Sequence, residues 1–170
     1  LIATSDDVEA IALSDTAEEE IATVPIRRVP YFYPYLGLKP EAVTALDLSG
    51  GNMFSFHLMR ELMTRPGLDV IHLHTARRIG AIGRWAARRR HVPYVISLHG
   101  GLEEAPLDHA DGAPVAPSSQ RLRAHPAHGA FEWGKALGWW VGSRRVLDDA
   151  AAIICVGRAD HERLSRERPD

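Results

Sequence analysis

The chain has 170 residues, 45% hydrophobic and 25% charged, a balance that excludes disordered, collagen-like and disulfide-scaffold classes. Cys155 is the lone cysteine, which excludes a disulfide framework or zinc ribbon and fits a reducing compartment; the apolar runs are too short to span a bilayer. The net charge of −2 hides an asymmetry, since residues 1–76 hold 5 basic and 11 acidic side chains and residues 77–170 hold 15 and 11. Eighteen of the cations are Arg, the better partner for phosphate and carboxylate. The chain pI of 6.5 argues against nucleic acid as a partner.

In chain order, Leu1 to Thr4 reads as the tail of a strand, and the absence of an initiator Met or an n-region suggests a chain entered mid-fold. The acidic stretch through Glu20 lacks an apolar period and reads as surface loop. A short strand is expected over 21–29, then an extended surface loop punctuated by Pro30, Pro34 and Pro40. Met53, Phe56, Met59, Leu62 and Met63 recur at helical spacing, which predicts a helix over 52–65. A strand over 68–75, a helix over 77–90 and a strand over 92–99 then make a βαβ unit with parallel strands. Residues 102–130 form a long Pro-, Gly- and His-rich loop, followed by a helix over 131–149, a strand over 151–156 and a helix from Asp160 to Arg168. The near-continuous apolar strands predict an α/β fold, a doubly wound, Rossmann-like parallel sheet covered by helices on both faces.

In an open parallel sheet, ligands bind outside the carboxyl ends of the strands. The residues there are Thr75, Arg77 and Arg78, then His99, Gly100 and Gly101, then Gly157 and Arg158. The glycine pair lets a ligand approach the backbone, and His99 is able to hydrogen-bond a sugar hydroxyl or phosphate; a structural His before a turn is the plainer alternative. Arg77 and Arg78 open a helix whose amides favour anions, whereas Arg88, Arg89 and Arg90 complement its dipole and face solvent. His72 and His74, two apart on a strand, share a face; with His99 they are the ligand set of an alternative reading, a metal-dependent hydrolase. Residues 131–145 are aromatic and basic, suited to a peripheral membrane contact, although two internal Gly and two nearby Asp favour Trp133, Leu137, Trp140 and Val141 packing on the sheet.

Three ordered segments, Asp69-Val70-Ile71-His72-Leu73-His74, Pro93-Tyr94-Val95-Ile96-Ser97-Leu98-His99-Gly100, and Asp149 to Gly157 with Glu162 beyond, carry a resemblance. Together they resemble the N-terminal domain of retaining GT-B glycosyltransferases of the family 4-like group, over roughly residues 20–168. The resemblance implies transfer of a sugar from a nucleotide-sugar to an acceptor (glycan, lipid or small molecule) with retention and without a metal or other cofactor. It implies that His99 faces the donor sugar at the reacting centre, and that Thr75, Arg77, Arg78 and the loop opening with Gly100 and Gly101 shape the substrate pocket; Arg158 joins the expected substrate-binding set from its place after the last strand. The resemblance further implies that residues 1–170 are the acceptor-side domain, expected to lack its first βα unit and the nucleotide-binding C-terminal domain. The expectation is therefore a cytoplasmic enzyme fragment, peripheral at most to the inner face of the membrane and inactive alone. Gly157 stands where many relatives have Ser. A non-catalytic α/β module that binds a sugar or anion is the second alternative.

Overall fold

The computed structural model describes residues 2–4, 8–13, 18–21, 24–48, 51–98, 127 and 129–167. Its elements are β1 (Ile2–Thr4), β2 (Val8–Leu13), β3 (Glu18–Ile21), β4 (Val24–Val29), β5 (Tyr35–Leu36), α1 (Pro40–Leu48), α2 (Phe56–Thr64), β6 (Leu68–Leu73), α3 (Arg78–Arg90), β7 (Tyr94–Leu98), β8 (Phe131–Glu132), α4 (Gly134–Val141), β9 (Ala152–Cys155) and α5 (Arg158–Glu167). Seven strands form one sheet in the order β3-β4-β2-β1-β6-β7-β9, and β5 pairs with β8.

The α/β, Rossmann-like class holds, with a parallel core of three strands. β6, β7 and β9 run parallel, with Leu73 opposite Ile96 and Ile96 opposite Ile153. β1 joins β6 antiparallel, so the whole sheet is mixed. Two strands also occupy the acidic stretch that reads as loop from sequence: β2 runs parallel to β4, and β3 lies antiparallel to it with Glu18 opposite Arg27. β3 is an acidic edge strand, a composition that discourages further pairing and lacks the apolar alternation by which strands are recognised.

One face of the parallel core carries Ile71, Leu73 and Ile96, buried with Phe54, Leu58, Leu62, Ile82 and Val141. The register puts His72, Val95 and Ala152 on the opposite face, where Ile154 remains 46% exposed. Helix α3 sits close over the strands because it lacks side chains where they would collide. A Cβ on Gly83 would lie 2.4 Å from the Leu73 side chain. Leu164 of α5 is buried as well.

The proline-punctuated segment is more enclosed than its composition suggests. Phe32 exchanges both backbone hydrogen bonds with Phe54 at 2.9 Å, Trp133 N–H donates to the Pro34 carbonyl at 3.1 Å, and Tyr33 and Pro34 are buried. Prolines remove only their own donors, which leaves Phe32 and Tyr35 free to pair. Helix α1 starts on Pro40, the position where a missing N–H costs nothing.

The expected helix over 131–149 is divided: two residues pair as β8, α4 ends at Gly142 with φ 70°, and a 3-10 turn covers Ser143–Arg145. Glycine is needed at 142 twice over. The left-handed conformation favours it, and a Cβ there would fall 2.4 Å from the Arg84 guanidinium.

Helix α2 is capped by Ser55, fully buried, whose Oγ accepts from Leu58 N–H at 3.0 Å and donates to the Pro30 carbonyl at 2.6 Å. Ser55→Ala should therefore destabilise the fold by about 1–2 kcal/mol, read as a lower urea midpoint at unchanged slope. A midpoint within error of wild type would show that water replaces both bonds.

Candidate active site

The parallel register brings the residues after Leu73 and Cys155 to one edge of the sheet, beside the end of β7 at Leu98. Thr75, Arg77, Arg78, Gly157 and Arg158 stand there. His99, Gly100 and Gly101 lie outside the described residues, as does most of the 102–130 loop.

The chain leaves β6 through a tight turn in which Arg77 N–H donates to Thr75 Oγ1 at 3.2 Å. The start of α3 has no capping side chain of its own. Asn52 supplies it from another part of the chain, its Oδ1 accepting from Arg78 N–H at 3.1 Å while its backbone carbonyl accepts from Arg78 Nη1 at 2.7 Å. The other arm of the Arg78 guanidinium is ion-paired with Glu132. Arg78 is 3% exposed, and a Cβ on Gly134 would lie 2.6 Å from its Cζ. Arg78 thus spends its hydrogen bonds inside the fold, where it ties α3, β8 and the Asn52 segment together and sets the position of the edge.

Arg77 is half-buried and lies close enough to Tyr33 to influence its ionisation. Tyr33 donates to Asp47 Oδ1 at 2.8 Å and Tyr31 donates to the same oxygen at 2.7 Å. Burial first, and then the Asp47 hydrogen bond and charge, push the Tyr33 phenol well above its ordinary range, with Arg77 opposing. The phenol stays protonated and remains a donor at every physiological pH. Asn52, Asp47 and the two tyrosines are edge residues that sequence reading misses, because each reaches it through the tertiary fold; only the concentration of Tyr in 31–35 hints at them.

His72 and His74 share a face as their spacing requires, with ring centroids 4.4 Å apart, and His72 Nε2 lies 2.7 Å from Ser97 Oγ. Among the described residues no three His, Cys, Asp or Glu side chains come together to hold a metal ion. Arg158 is exposed and its Nε donates to Glu162 Oε1 at 3.0 Å, one helical turn on. Burial, helped by the Asp160 carboxylate, raises the Cys155 thiol above its ordinary value, so Cys155 is a poor nucleophile at this edge.

The edge therefore presents Arg77, the exposed Arg158 and the Thr75 hydroxyl at the mouth of a parallel sheet, groups that hydrogen-bond polyols and anions, with the Tyr31 and Tyr33 phenols held on Asp47 beside them. The family described as glycosyl transferase 4-like domain matches residues 1–170. This chain belongs to that family. Comparison with curated proteins and with solved structures gave no match. A glycosyl transferase 4-like domain is a module of sugar-transferring enzymes, with a sugar donor and an acceptor as its substrates, and membership removes the reason for reading His72 and His74 as hydrolase ligands. Among the described residues of this domain, no helix is long and apolar enough to cross a membrane.

Proposed function

We propose that this glycosyl transferase 4-like domain is the acceptor-side half of a retaining transferase of the GT-B type, and that it works with a second domain holding a nucleotide-sugar. The observation that carries this reading is the family match along residues 1–170, joined to a parallel β6-β7-β9 core whose carboxyl edge gathers Thr75, Arg77 and Arg158. In this reading His99, following β7 at the same edge, hydrogen-bonds the donor sugar at the reacting centre. Gly100 and Gly101 let the substrate approach the backbone.

The chemistry asked of this half is positioning. Bond cleavage at the anomeric carbon leaves charge on the departing diphosphate, and groups pre-set around the sugar and acceptor lower the barrier without reorganising. Arg77 supplies positive charge on the acceptor side, and Arg78 holds the α3 start in place. No metal is needed for these steps.

The test is a screen of nucleotide-sugars and acceptors with the longest native polypeptide that carries these residues, reading release of nucleoside diphosphate. Acceptor-dependent release with the anomeric configuration retained is the expected result. Saturable sugar binding with no release under any pairing would instead identify a binding module.

A further inference from the structure

We propose that the outer face of α4 is a docking surface for a lipid bilayer bearing anionic headgroups, a role separate from the transfer reaction. Gly134, Gly138 and Val141 turn inward on this eight-residue helix, and Lys135, Ala136, Trp139 and Trp140 turn outward. Trp139 is 86% exposed and Trp140 48%, and Phe131 just before the helix is 66% exposed. Large aromatic side chains left in water forgo the burial that stabilises most others. Tryptophan beside lysine and arginine is the composition that sits at a membrane interface, ring in the acyl boundary and cation at the headgroups.

Charge favours a bilayer over a second copy of the chain as the occupant. Residues 78–90 and 131–149 together hold eight basic and three acidic side chains. Two of those acids, Glu132 and Asp149, are paired with the buried Arg78 and Arg84, and setting both pairs aside leaves six bases and one acid. Pairing this face with itself would oppose like charges, whereas anionic headgroups complement it. The aromatic surface is also continuous with the basic end of α3. The rings of Trp140 and Trp85 lie 6.0 Å apart, and the Arg89 guanidinium sits 4.9 Å from the Trp85 ring centroid. Arg89 is eleven residues beyond Arg78 on α3, about 16 Å along the axis. The Trp140 and Arg89 end of the surface therefore lies away from the sheet edge at which the substrates are placed, while its Phe131 end adjoins Glu132, the partner of Arg78.

The test is flotation of the full chain with vesicles of phosphatidylcholine, with and without phosphatidylglycerol. The expected result is flotation only with the anionic vesicles, declining as salt screens the attraction. The vesicle partition coefficient should fall about tenfold in Trp139→Ala/Trp140→Ala, a loss equivalent to about 1.4 kcal/mol, with an unchanged circular dichroism spectrum. Trp139→Ala alone, at the more exposed position, serves if the double variant does not fold. Absence of wild-type flotation overturns the proposal, as does undiminished flotation of the variants. So does tryptophan-dependent self-association on sedimentation without lipid binding, which would assign the face to a second copy.

Discussion

Replacing Asp149 with alanine is expected to destabilise the fold by about 3 kcal/mol, because it leaves a buried guanidinium without its counter-charge. The Arg84 and Asp149 side chains are 8% and 10% exposed. Arg84 Nε donates to Asp149 Oδ2 at 2.8 Å, its Nη2 bonds the same oxygen, and its Nη1 donates to the Val141 carbonyl at 3.1 Å. Arg88 and Arg145 approach the carboxylate from solvent, each at 3.2 Å. Arg84 cannot follow its lost partner into water, since α4 closes over it with Gly142. The urea midpoint should fall with little change in slope. Replacing both partners, as Arg84→Met/Asp149→Leu, should recover most of the loss, because no buried charge then remains. A single variant within about 1 kcal/mol of wild type would mean the pair behaves as an exposed one.

The same pair fixes the pH dependence. Burial alone would raise the Asp149 carboxyl, but Arg84, then Arg145 and Arg88, outweigh it and hold the group below its ordinary value of 3.8. A lowered folded value contributes stability that is complete above the unfolded value and is lost as pH falls through the folded one. The gap between wild type and Asp149→Ala should thus be constant from neutrality down to about pH 4 and close below it. Tyr94, whose hydroxyl donates to the Val146 carbonyl at 2.6 Å, is pushed up to about 12 by burial, with Asp149 adding to the rise, and stays protonated across this range.

Gly80→Ala should cost about 3 kcal/mol, the upper end of what overpacking a close contact costs. A Cβ at this position would lie 1.8 Å from the Thr75 carbonyl oxygen, so either α3 or the end of β6 must move. Alanine is the better helix former by about 1 kcal/mol, and the prediction is that the collision wins. Because the displaced backbone carries Thr75 and leads to Arg77, the variant should also weaken any substrate held at this edge. Thermal melting and the urea midpoint read the first effect. A variant as stable as wild type would show that the turn at Thr75 yields freely.

The α3 unit was legible because its strands are near-continuous apolar runs and its helix repeats Ile79, Ile82 and Ala86 at helical spacing. The period of two put His72 and His74 on one face correctly. What the sequence concealed was contact between distant residues. Charge alone says nothing of burial, so the sequence shows neither that Arg78 pairs with Glu132 nor that Arg84 pairs with Asp149. Arg90, read as solvent-facing, donates to the Leu62 carbonyl at 2.7 Å. The break at Gly142 was hidden because a lone glycine is tolerated in helices, and only the approach of Arg84 makes it obligatory. On residues 131–145 packing and exposure both apply, with Val141 in the core and Trp139 in water.

Placement of the reaction at the carboxyl edge of β6 and β7 is tested most directly by turnover of His99→Ala in the longest native polypeptide carrying residues 1–170, with the donor and acceptor pair that supports wild-type activity. The predicted result is kcat at least about tenfold lower, with melting temperature and circular dichroism unchanged. Turnover equal to wild type in the folded variant would contradict it.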